Sequence, residues 1–363
     1  MKSPLHAFGR ISHALPRSRR PALQLALCTM ALCGSAAVAA VTFDTWPGSS
    51  SASNADKSGV FGSNMSGLYW QPAAGSTPAS LWAVKNSPSL LYRLQWDGKN
   101  YQAASGWNGV TLTYTNGKGA PDAEGVTMDD SSNQLFVAAE RDGSGSNRFS
   151  VLRYDINSLS GGKLVANKEW DLTADLLPEL PAGTGDNKGP EAITWIPDTY
   201  LLANSFYDER LKAAYQPANY PNHGKGLFVV GLEANGKLYV YALNQNDGSY
   251  QRVATIASGQ SSVMELTFDR DNGTLWAHCD DNCNDRNTLL AIDTTSSTPS
   301  SRKFVVKKGL NQPSSLSVYN FEGMAIASEA ECVGGEKPVV WSNDSNDGSH
   351  ALWRGSVRCG RLF

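Results

Sequence analysis

Four glutamates recur in similar short phrases along this chain, and a carboxylate repeated at one structural address has immediate chemical consequences. The phrases are Asp122-Ala123-Glu124-Gly125-Val126, Pro190-Glu191-Ala192-Ile193, Met264-Glu265-Leu266-Thr267 and Phe321-Glu322-Gly323-Met324. The glutamates stand 67, 74 and 57 residues apart. Carboxylates brought to one point repel one another unless a cation neutralises them or some take up protons. Oxygen-only ligands suit calcium, which takes about six to eight of them, far better than zinc. Glu124, Glu191, Glu265 and Glu322 are therefore the candidate calcium ligands. The plainer alternative is that each glutamate accepts backbone amides of a neighbouring unit and only spaces the repeats.

Each phrase is followed by a turn and an apolar run ending in polar residues. The ends of these runs give a second candidate set, for substrate binding: Asn86, Glu140 with Arg141, Asn204, Asp280, and Asn343 with Asp344. After a strand such residues also serve as turn formers. Arg141, Lys188, Arg210 and Arg286 would supply positive charge for an anionic substrate. Among the histidines, His278 is the candidate for proton transfer, with His350 in a Gly-Ser-His turn. Glu124 and Glu322 are the carboxylates expected to position water. The run Asp269-Arg270-Asp271-Asn272-Gly273 resembles part of a calcium loop without its distal glutamate and reads as a hairpin turn. No nucleophile elbow, zinc-protease helix, P-loop or dinucleotide fingerprint occurs.

The elements that must position these residues are strands. Past residue 40 the chain shows short runs of Val, Leu, Tyr, Trp and Phe, punctuated by Gly, Asn, Asp, Ser and Pro. Four strands can be traced in one unit at 125–128, 134–139, 150–154 and 168–172, and again at 265–268, 274–278, 288–292 and 303–306. A period of this length marks a radial repeat and not a sandwich. The fold class is thus all-β, a β-propeller with five blades; a sixth is the alternative, hidden in 207–240. The last unit shows three strands, so the N-terminal run 41–46 is expected to complete it as the closing outer strand, which removes two free sheet edges. Segment 47–65 reads as a loop.

The first 40 residues carry Lys2, Arg10, Arg17, Arg19 and Arg20 and no acidic residue, then an apolar stretch and small residues ending in Ala-Ala. That pattern is a signal peptide, leaving residues 41–363 as a single propeller domain, secreted into the periplasm or beyond. Its removal shifts the formal net charge from −3 by five positive charges to −8, which disfavours nucleic-acid binding. No membrane association is expected after cleavage, and the mature protein is read as a monomer. Four cysteines remain, and in an oxidising compartment they suggest the disulfides Cys279–Cys283 and Cys332–Cys359. A zinc site from Cys279, Cys283 and His278 is the competing reading.

Three of these segments, Asp122–Val126, Asn-Phe-Glu-Gly-Met-Ala at 320–325 and Val-Val-Trp-Ser-Asn-Asp at 339–344, resemble the phytase-like family described as "esterase-like activity of phytase". The resemblance spans about residue 60 to the C-terminus. It implies an exported propeller with calcium at its channel and hydrolysis of phosphate or carboxylic esters. The first unit departs from the pattern, with Ser66 where a glutamate is expected; that gap is where a substrate would reach the metal. The resulting expectation is a calcium-binding hydrolase of a small ester or phosphoester at the channel mouth. The alternatives are a non-catalytic ligand-binding propeller of the cell envelope and a lactonase-like propeller.

Overall fold

The structure, a computed structural model, describes residues 41–363 except Ser132 and Asn346; the expected signal peptide lies outside the described residues. Five sheets stand in a ring, the arrangement of a five-bladed β-propeller. Their inner strands are Met65–Gln71, Ala123–Met128, Pro190–Pro197, Glu265–Asp269 and Phe321–Ile326. From each, the sheet runs outward by antiparallel hairpins, as in the second blade through Gln134–Arg141 and Asn147–Asp155 to Lys168–Asp171.

Blades packed on both faces bury both sides of their strands. The strands Ser80–Lys85, Ala123–Met128, Gly226–Leu232 and Asn287–Ile292 are accordingly buried at every residue, and their sequences read as apolar runs more than as clean alternation. Five apolar clusters fill the five junctions between neighbouring blades. The inner strands also bond directly across junctions. Ser66 Oγ donates to the Glu124 carbonyl at 2.8 Å, the Phe268 amide to Thr194 Oγ1 at 3.2 Å, and Thr267 Oγ1 to the Met324 carbonyl at 2.7 Å. A Cβ on Gly125 would lie 2.8 Å from the Glu191 carbonyl and the Ile193 amide, so only glycine lets the second and third inner strands come this close.

Closure uses the N-terminal segment, as expected, but with different residues. Ser53–Asn54, in the stretch read as a loop, pairs with Leu352–Arg358 and gives the last blade its fourth strand. Phe43–Asp44 instead adds in parallel to Phe304–Leu310 of the fourth blade. The reason is Trp46, whose ring packs 6.1 Å from Trp276 and 5.5 Å from Trp341 and whose indole N–H donates to the Ser356 carbonyl. That residue belongs in the junction between the fourth and fifth blades, so the run before it falls on the fourth.

The third blade also departs from expectation. Its apolar run Leu201-Leu202-Ala203-Asn204 is the end of a short helix, Asp198–Ala203, with Asp198 in the first turn where the helix dipole favours an anion. The second strand is Gly226–Leu232, and residues 198–225 form an insertion containing the hairpin Tyr207–Asp208 with Ala213–Ala214. No sixth blade lies there. Both expected disulfides, Cys279–Cys283 and Cys332–Cys359, are present, which removes the zinc alternative for the first pair. The 269–273 run is a hairpin turn in which Asp269 accepts the amides of Asp271 and Asn272. No helix among the described residues is long and apolar enough to cross a membrane.

Candidate functional site

Three of the four glutamates share a backbone device. Glu124, Glu191 and Glu322 each occupy a β-bulge: the ladder register skips from Ala123 to Gly125, from Pro190 to Ala192 and from Phe321 to Gly323. The extra residue of a bulge is left unpaired and its side chain is re-aimed. Glu265 sits in an unbroken ladder opposite His278. Its carboxylate accepts the Leu68 amide at 2.7 Å and the Leu266 amide at 2.8 Å, reaching past the fifth blade to the first. Glu265 therefore has the ring-spacing role, and the other three have a different one.

Around Glu124, Glu191 and Glu322 stand further carboxylates. Oxygens of Asp122, Glu124 and Glu140 lie within 4.8 Å of one another, and so do those of Glu140, Glu191 and Glu233. Glu124, Glu140, Glu191 and Glu233 are all buried. Burial, then neighbouring carboxylates, pushes Glu124, Glu191 and Glu322 well above the ordinary carboxylate range. For Glu191 the neighbouring charges acting most strongly are four carboxylates, Glu124, Glu140, Glu233 and Glu322. Glu140 is pushed up to about 7 by burial and by Asp122 and Glu233, against the Gly189 amide and Arg141, which favour its ionised form.

The cations here are fewer than the anions. Arg141 pairs with Asp122 at 2.5 Å and approaches Glu140 at 3.2 Å; Lys188 pairs with Glu233; Lys85 donates to the Phe61 carbonyl with Asp344 nearby. Asn86 Nδ2 reaches Glu124 at 3.4 Å, and Asn320 Nδ2 reaches Glu322 at 3.0 Å and Asp344 at 3.4 Å. Several buried oxygens have no hydrogen-bond partner among the described residues: Glu322 Oε2, Asp344 Oδ1 and Asn86 Oδ1, while Glu140 Oε2 has only the 3.2 Å approach of Arg141. Buried polar atoms are nearly always satisfied, so a group of orphaned oxygens fits a hard cation. The donor set is all oxygen and fits calcium.

Of the other expected site residues, Asp280 borders the group beside Lys188 and Glu233, and the rest lie elsewhere. His278 is fully buried, with Nδ1 on Asn287 and Nε2 on the Phe321 carbonyl, and burial lowers its pKa to about 4. Its place in the fold is to tie the fourth blade to the fifth. Asn204 caps the short helix by bonding the Tyr200 carbonyl. Asn343 holds Asp347 and the Ser345 amide. Asp280 is buried beside the Cys279–Cys283 disulfide, with Asn282 on its carboxylate and Lys188 close enough to favour its ionised form. Arg210 lies over Tyr220 and Arg286 over Phe43, on other blades' outer parts. Ser66 leaves no gap: it is buried and bonded to the Glu124 carbonyl, so a substrate path at that point is not supported.

Sequence reading missed two candidate ligands, Asp122, which stands two residues before Glu124 in the first phrase, and Glu233. Glu233 follows Gly226–Leu232 as Glu140 closes its own apolar run, the place that the sequence reading assigns to Asn204.

Comparison with known proteins bears on the family. No curated protein matches the sequence. A chain of the crystal structure of the mitotic checkpoint complex aligns at 10% identity and a TM-score of 0.38, covering 99% of this chain and 100% of that one. A protein from Lactobacillus plantarum aligns at 12% identity and a TM-score of 0.35, covering 81% of this chain and 64% of that one. The model of one family matches residues 62–347, from the first blade to the last: the chain belongs to the phytase-like family described as "esterase-like activity of phytase".

Proposed function

We propose that the protein is a calcium-dependent hydrolase of phosphate or carboxylic esters, working as a secreted monomer at the carboxylate mouth of its channel. The two disulfides and the family point to a secreted protein; the periplasm or the medium is the proposed compartment. The observation that most supports the reading is the group of buried carboxylates with orphaned oxygens. Asp122, Glu124, Glu140, Glu191 and Glu233 would hold the ion, with Glu322 and Asp344 beside them. Calcium, when bound, supplies positive charge that lets these groups ionise together and polarises an ester oxygen.

The chain's own residues supply the rest. Arg141 and Lys188 are partly exposed, at 27% and 46% of their side chains, and are placed to bind the anionic end of a substrate. Without an ion, burial and neighbouring carboxylates hold the Glu140 carboxyl up at about 7, and a cation bound beside it favours the ionised form that ligates. Glu322, with one oxygen fixed by Asn320 and Oε2 free, is suited to orient a water, as is Glu124 beside Asn86.

Metal analysis of the purified protein, followed by turnover assays on aryl phosphates, aryl esters and lactones with and without calcium, tests the reading. At least one substrate class should be hydrolysed, chelation should abolish the activity, and Glu124→Gln should reduce it at least tenfold. Bound calcium with no turnover on any class, and Glu124→Gln altering thermal stability alone, would leave a ligand-binding propeller instead.

A further inference from the structure

The carboxylates that would hold calcium already hold a cation of the chain's own. Arg141 Nη2 lies 2.5 Å and Nε 2.6 Å from Asp122 Oδ2, and Nε stands 3.2 Å from Glu140 Oε2. With Glu124, these two partners form the group whose oxygens lie within 4.8 Å of one another. Arg148 and Arg252 instead pair with Glu169, Asp175 and Glu179, which stand in no such group among the described residues.

A metal and the guanidinium compete for the same oxygen. Glu140 Oε1 accepts the Gly189 amide, so Oε2, which faces Arg141, is the oxygen left for an ion. Calcium lies about 2.3–2.6 Å from each oxygen that holds it, so a guanidinium on that same oxygen is repelled by its double charge. The Arg141 side chain has no other ion-pair partner among the described residues, and at 27% exposure it can turn to water. Its backbone need not move: the Arg141 carbonyl accepts the Asp122 amide at 3.0 Å and the Tyr114 hydroxyl at 3.2 Å. Lys188 differs, because Asp280, outside the proposed ligands, attracts it as well as Glu233.

We propose that Arg141 is a displaceable counter-ion. It neutralises Asp122 and Glu140 in the metal-free site, yields them when calcium binds, and is then free for the anionic group of a substrate. This rests on the calcium reading above and adds its regulation. Calcium and anion bind with positive coupling, each raising the affinity for the other by the same factor. Part of that coupling comes from direct contact between anion and ion; the part owed to Arg141 disappears when its charge is removed.

The test is calorimetric titration of the mature protein with calcium, and with methylphosphonate in chelator and in saturating calcium. Methylphosphonate presents a phosphate-like anion with no ester bond to hydrolyse. Arg141→Gln should bind calcium about fivefold tighter than wild type or better, and Arg141→Lys, which keeps the charge, should not. Wild type should bind methylphosphonate about tenfold tighter with calcium than in chelator, and Arg141→Gln should lose most of that gain. In chelator Arg141→Gln should melt below wild type, and calcium should close the gap. The proposal is overturned if Arg141→Gln binds calcium no tighter than wild type, or if the gain in phosphonate affinity survives in it. An equal loss of melting temperature with and without calcium overturns it too, since by linkage the calcium affinity is then unchanged. Calcium binding by none of the three proteins overturns the calcium reading itself, whereas equal binding by all three overturns this proposal alone.

Discussion

Replacing Glu140 by glutamine separates a metal-holding carboxylate from a scaffold one. Burial, with Asp122 and Glu233, raises the Glu140 carboxyl to about 7, against an ordinary value of 4.5 in the unfolded chain. Between those values the folded protein keeps a proton that the unfolded chain has lost. Its stability therefore falls as pH rises from about 4.5 to about 7, and stays low above that. At about 1.4 kcal/mol for each pH unit, keeping Glu140 ionised in metal-free protein costs on the order of 3 kcal/mol at pH 8. Glu140→Gln cannot ionise and retains an oxygen for the Gly189 amide.

In chelator, melting followed by circular dichroism should give the variant no advantage at pH 4.5. At pH 8 it should melt higher than wild type by up to about 6 °C, taking about 2 °C per kcal/mol for a chain of this size. With calcium at about a hundred times its Kd, wild type gains about 2.7 kcal/mol, and the gap at pH 8 should largely close because the variant lacks a charged ligand and gains less. A difference in chelator that does not change with pH, or equal stabilisation of both proteins by calcium, would refute the reasoning.

Glu191→Gln should weaken calcium binding at least tenfold by calorimetry while leaving the chelated protein as stable as wild type or more so, because it relieves the repulsion of Glu191 by four neighbouring carboxylates. Glu265→Ala should do the opposite, costing about 1–3 kcal/mol in melts with or without calcium by stranding the Leu68 and Leu266 amides, with calcium affinity unchanged. Gly125→Ala should lower the melting temperature sharply or prevent soluble expression, since its methyl would collide with backbone of the third blade at 2.8 Å. Replacing both Cys332 and Cys359 by serine opens a loop of sequence separation 27 and should cost roughly 3–4 kcal/mol in denaturant titrations.

The periodic glutamates, the apolar runs and the turn residues determined the architecture, because strand pattern and spacing are local properties that a ring of similar blades repeats. The disulfide pairs were legible for the same reason, each joining cysteines in one unit or its tail. Three things were not legible. Leu201–Asn204 looks like a strand in sequence, and only the packing of Gly226–Leu232 in the third blade shows that it is not. The pull of Trp46 into the junction between the last two blades decides which edge the N-terminus covers. The four glutamates, alike in sequence, divide because three stand in β-bulges that turn them toward other carboxylates and one stands in a regular ladder that hands it to backbone amides. A bulge is a register difference between two strands, and no single strand's sequence records it. The sequence by itself therefore determined that carboxylates would recur around a ring; the tertiary structure decided which of them meet.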